Sequence, residues 1–166
     1  MIIKHISRAA ATLALVAGAA TSAQAQATMA TTQTVTFQVN AINQIAFVGA
    51  PSLTIITAVA GSAPTSVTDA TSTWAVTTNQ TTAKITASIA SNMPAGLTLS
   101  ANLAAPVTAT SAGYQSLSTT AVDVVTVLTK LAAGPLAVTY KLDATPAAGV
   151  VTSSTRVVTY TITGGT

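Results

Sequence analysis

The chain has 166 residues, of which 49% are hydrophobic and only 5% charged, with six Lys and Arg against three acids for a net charge of +3. Low charge combined with high hydrophobicity is the opposite of the composition that keeps a chain disordered, and without clustered Lys and Arg a nucleic-acid partner has no footing. Cysteine is absent, so packing alone must hold the fold.

At the N-terminus Lys4, His5 and Arg8 precede a short apolar run from Ala9 to Ala20, and Ala23-Gln24-Ala25 follows. A positive start, a short apolar run and a small-x-small exit describe a secretory signal peptide over residues 1–25, cut after Ala25, with Ala23 or Ala27 as alternative sites. The run is too short for a bilayer core of about 30 Å, so no permanent membrane anchor is expected. Removal of 25 residues leaves about 141, a size for one domain with its own core. Lys4 and Arg8 leave with the signal. Four cations then face Asp69, Asp123 and Asp143, for a net charge of +1.

Residues 26–33 form a polar leader. From residue 34 the pattern has a period of two: Val35, Phe37 and Val39 alternate with Thr34, Thr36 and Gln38. After a break at residues 40–43, read as a bulge or a strand crossing between sheets, Ile45 and Phe47 resume. Leu53 and Ile55 follow Pro51; Trp74 and Val76 alternate with threonines; then come Ile85, Ala87 and Ile89, and Leu97, Leu99 and Leu103. Residues 122–128 are more densely apolar. Leu136, Val138, Tyr140 and Leu142 alternate cleanly, as do Val158, Tyr160 and Ile162. Such alternation puts one face in a core and the other in water. Gly and Pro clusters separate the segments, at Gly49-Ala50-Pro51, Asn92 to Gly96 and Pro146 to Gly149 among others. The expected fold is all-β: one immunoglobulin-like antiparallel sandwich of about seven to nine strands over residues 34–163, with a barrel as the alternative and residues 164–166 as a flexible tail.

The chemistry available is sparse. Beyond the signal there is no His, Cys or Glu. A Ser–His–Asp or Cys–His site is therefore impossible within the mature chain, and zinc loses its usual nitrogen and sulfur ligands. Paired-carboxylate work would have to draw on three aspartates. Asp69 reads as a turn cap, and Asp123 and Asp143 as solvated or cross-strand partners of Lys130 or Lys141. No Ser-x-x-Lys spacing, calcium loop or phosphate loop occurs. No catalytic residue, metal or cofactor is expected, and the chain is not expected to be an enzyme.

Trp74 lies on an alternating strand and reads as a core anchor before it reads as a sugar platform. Tyr140 and Tyr160 share the apolar register of their strands. Tyr114, beside Gly113, sits in a turn. Trp74 and Tyr114 are the candidate ligand contacts if the protein is a secreted binding module for glycan or another surface ligand. The first and last alternating segments carry little of the lysine, proline or bulge protection that usually blunts sheet edges. Either could be exchanged between subunits by strand addition, and a Thr/Ser/Ala surface with so little charge favours self-association.

The alternating strand at residues 34–39, Lys84-Ile85-Thr86-Ala87-Ser88-Ile89, Leu117-Ser118-Thr119-Thr120-Ala121 and the closing alternating strand together resemble the cysteine-free major pilins of the alpha-type chaperone–usher class. The resemblance covers most of the mature chain, but the body here is shorter and its leader holds only Met29 as a bulky apolar residue. It implies an incomplete sandwich completed by a neighbour's N-terminal strand, with Val35, Phe37 and Val39 as the inserted residues. The functional expectation is an exported structural subunit of a fibre or coat at the cell surface or outside the cell, with the periplasm open, and with itself as partner.

Overall fold

The computed structural model describes residues 28–165. The signal peptide expected over residues 1–25 and its cleavage site lie outside the described residues. The chain divides after Phe37. In the first unit, described residues 28–37 form no strand and are exposed. Among the described residues the second unit carries nine strands and one short 3-10 turn, and 47% of the described residues are strand.

The strands are β1 (Asn43–Val48), β2 (Val67–Thr78), β3 (Ala83–Ile89), β4 (Leu97–Leu103), β5 (Thr110–Ser111), β6 (Gln115–Ser116), β7 (Val122–Leu128), β8 (Leu131–Ala144) and β9 (Val158–Thr163). They form two antiparallel sheets packed as a sandwich, β1-β2-β8-β4-β6 and β5-β7-β3-β9. Alternation sets the core. Trp74 and Val76 of β2, Val138 and Tyr140 of β8 and Leu99, Ala101 and Leu103 of β4 meet Ile85, Ala87 and Ile89 of β3 and Val124, Val125 and Leu128 of β7. Trp74 is 1% exposed, and its indole Nε1 donates to the Ala104 carbonyl at 3.1 Å.

Two readings of the sequence need correction. Residues 34–39 alternate as cleanly as β9 but join no strand: Val35, Phe37 and Val39 are 72%, 89% and 76% exposed. The sandwich therefore starts at Asn43, not Thr34. The break at residues 40–43 is neither a bulge nor a crossing. It is the approach to the first strand, pinned by one side chain: Asn79 Oδ1 accepts from the Ile42 N–H and Asn79 Nδ2 donates to the Asn40 carbonyl, each at 2.7 Å. The dense apolar run at β7 also has a cause. Neighbouring Val124 and Val125 are both buried because the β3–β7 register shifts on either side of the Ile85–Val125 pair, and Val127 takes a left-handed φ of 62°. Gly164, placed in the expected flexible tail, lies so close to Asn43 that a Cβ there would come within 2.6 Å of the amide nitrogen.

The ends of the sheets are unequal. On one side lie β5 and β6, of two residues each. On the other lie β1 and β9, six residues each, without charge or proline. That asymmetry positions the site.

Candidate functional site

β1 and β9 belong to different sheets, and their side chains meet across the open side of the sandwich. The rings of Phe47 (β1) and Tyr160 (β9) stack with centroids 4.0 Å apart and planes 13° apart, and Phe47 lies 6.2 Å from Trp74. The Tyr140 and Tyr160 hydroxyls share a hydrogen bond of 2.9 Å. Burial pushes both phenols' pKa up; for Tyr160 the hydrogen bond to Tyr140 adds to that, and for Tyr140 it opposes it.

Those raised values have a consequence for stability. Unfolded phenols ionise near pH ~10, while the folded pair holds its protons to higher pH. Above that point the folded state binds more protons than the unfolded, so stability present below pH ~10 is lost as pH rises, by up to about 1.4 kcal/mol per pH unit per phenol. Urea midpoints compared at about pH 9 and about pH 11 should fall for the native sequence and fall less for Tyr160→Phe. Equal falls would show that the phenol pair is not the linked group.

From this aromatic cluster a groove with an apolar floor runs along the open side. One wall is the chain that follows β1, residues 51–57. The other is the chain that leads into β9, residues 151–157. Its two halves, of about 580 and about 620 Å³, meet at Leu53, Met93, Leu142 and Ser154. The first half is floored by Leu99 and Tyr140, the second by Leu97 and Ala144. Among the described residues, neither residues 53–56 nor residues 150–156 make a backbone–backbone hydrogen bond. Each wall thus holds a length of backbone, residues 53–56 and residues 150–156, without a backbone partner among the described residues, flanking an apolar floor. A chain in strand conformation needs both features: peptide groups to pair with and pockets for alternate side chains.

Asp69 explains the path of the first wall. Its carboxylate accepts from the Ser52 N–H at 3.0 Å and from the Thr71 N–H and hydroxyl at 2.9 and 2.6 Å. These bonds, the Thr71 hydroxyl first, hold its pKa below the usual carboxylate range. Asp69 thus lies within β2, at the register shift before Ser72, and not in the expected turn; its carboxylate does cap backbone N–H groups, as expected. Asp123 pairs with Lys84 and Asp143 with Lys141, each at 3.0 Å. Burial pushes the Asp143 carboxyl up, but the Ser66 hydroxyl and Lys141 outweigh it and the net shift is downward. No group of three or more His, Cys, Asp or Glu side chains that could hold a metal ion occurs among the described residues.

The aromatic residues singled out as ligand contacts are not brought together. Trp74 is sealed in the core and offers no face to a ligand. Tyr114 is 45% exposed, but the Lys141 ammonium sits 5.8 Å from its ring centroid. Val35, Phe37 and Val39 are exposed and outside every strand. The groove itself was missed by sequence reasoning. The available signal was paired: Leu53 and Ile55 alternate with Ser52 and Thr54, and a Ser/Thr run at residues 152–155 leads into β9. No helix among the described residues is long and apolar enough to cross a membrane. Comparison with models of protein families, with curated proteins and with solved structures finds no match to this chain.

Proposed function

We propose that this chain is a non-catalytic, exported structural subunit that assembles with copies of itself into a fibre or surface coat by strand addition. The observation that carries the reading is the pairing of two unmet needs. A groove with an apolar floor, walled in part by backbone without a backbone partner among the described residues, lacks a strand, and an alternating apolar segment, Val35, Phe37 and Val39, lacks a sheet. Inserted between residues 51–57 and residues 151–157 of a neighbour, the segment gains backbone hydrogen bonds while its apolar side chains enter the groove. Each such side chain is worth about 1.5–3 kcal/mol when fully buried. A six-residue segment supplies the length of a typical strand.

The test is electrophoresis in SDS of native material, with and without heating. A ladder of multiples that collapses to one subunit on heating is expected, because a sandwich completed in this way unfolds slowly. A single subunit band in both lanes would overturn the proposal. The alternative, a binding module that holds glycan on exposed aromatics, draws no support from Trp74, which is buried, or from Tyr114, whose ring is partnered by Lys141.

A further inference from the structure

Arg156 is the one charged residue lining the groove, at its Phe47 end. Among the described residues it has no counter-ion. Asp123 is paired with Lys84, Asp143 with Lys141, and Asp69 is taken up by Ser52 and Thr71. What holds the guanidinium is backbone: Nη1 donates to the Thr155 carbonyl at 2.8 Å, while Nε and Nη2 reach the Asn92 carbonyl only at 3.4 Å. A guanidinium has five N–H donors in a planar fork, so this one is fixed in place with donors to spare. Beside it, the Tyr140–Tyr160 bond uses one phenol hydrogen of two. The rest of this end is Phe47, Leu53, Met93 and Val158.

We infer that this end of the groove is a binding site for an amphipathic carboxylate, with the head group accepted by Arg156 and the apolar tail laid along Phe47, Leu53 and Met93. The volume of about 580 Å³ falls within the range of small-molecule sites. Charge selects the head group. An unpaired, partly desolvated guanidinium favours an anion, and its planar fork matches a carboxylate through two parallel hydrogen bonds. Charge also separates this ligand from a neighbour's strand. Residues 26–39 contain no Asp or Glu, so strand insertion leaves Arg156 without a partner. The site does not depend on strand addition. Only its consequence for assembly rests on that reading: a ligand lying on Phe47 and Tyr160 closes the groove to an incoming strand.

The experiment is calorimetric titration of dodecanoate, below its micelle concentration, into the mature chain carrying Phe37→Lys, so that the groove stays open. Saturable binding of one dodecanoate per subunit is expected. Arg156→Gln should weaken it about tenfold to a hundredfold, the worth of a charged hydrogen-bonded contact, and Arg156→Lys should restore part of the loss. Dodecyltrimethylammonium, with the same tail and opposite charge, should bind at least as weakly as dodecanoate does to Arg156→Gln. Equal affinity for the two probes, equal affinity of Arg156→Gln and its parent, or binding that never saturates would overturn the site. A parallel lane separates the two readings. If dodecanoate binds through Arg156 and the native ladder still forms in its presence, the site stands and strand insertion into this groove fails.

Discussion

Phe37→Lys is expected to abolish the heat-sensitive ladder while leaving the unfolding midpoint of the separate subunit unchanged. The two halves of that result have different causes. Phe37 is 89% exposed and belongs to no strand, and surface substitutions of this kind usually stay within about 0.5 kcal/mol. In a neighbour's groove the same position would lose about 2–3 kcal/mol of apolar burial. It would also place an ammonium in a groove whose one charged lining residue is Arg156, at a cost of several kcal/mol more. A combined loss of about 4 kcal/mol weakens association about a thousandfold. Phe37→Leu, which keeps the apolar contact, should retain the ladder. An unaltered ladder for Phe37→Lys would mean that residues 34–39 are not what the groove receives.

The largest effect on the subunit itself should come from Trp74→Ala. This side chain fills the core between the sheets, donates to the Ala104 carbonyl and lies against Phe47, which forms the groove's aromatic end. Large-to-small substitution of a buried aromatic costs about 3–5 kcal/mol, and single domains have about 5–15 kcal/mol to lose. No disulfide restrains the unfolded chain. Urea unfolding followed by circular dichroism is the measurement, since the change removes the chain's one Trp. Trp74→Phe should be milder: it leaves a smaller gap and forfeits the indole bond. A loss under about 1 kcal/mol for Trp74→Ala would mean that the sheets close over the space.

Strand-forming segments were legible where alternation was clean and the residues were β-branched or aromatic. Ile85, Ala87 and Ile89 of β3, Trp74 and Val76 of β2 and Val158, Tyr160 and Ile162 of β9 all occupy the faces their sequence period assigns. Alternation was less informative in β8. There Ala132, Ala133, Gly134 and Pro135 hide the first third of a strand that runs from Leu131 to Ala144. Gly134 shows why the sequence is weak at that point. The β2–β8 register shifts between Trp74 and Val76, the glycine adopts φ 148°, and a Cβ would stand 2.5 Å from that of Ala75. Close backbone approach, not side-chain patterning, chose those residues.

Composition and strand period are enough to establish that this protein is all-β, that its core is apolar and free of disulfides, and that residues 26–166 contain no His, Cys or Glu. Those properties follow from which residue types are present and from a period set by the pleat of a single strand, both of them local. Which alternating segments become strands is settled by pairing between distant parts of the chain. Residues 34–39 and residues 158–163 have the same pattern, yet the second pairs with β3 and the first forms no strand pairing among the described residues. A period of two states which side chains can share a face, but a strand exists only where another chain segment offers its peptide groups. The groove has the same origin. Its walls are about a hundred residues apart, brought opposite each other because β1 pairs with β2 and β9 with β3, and strand partners so distant in sequence leave no local mark.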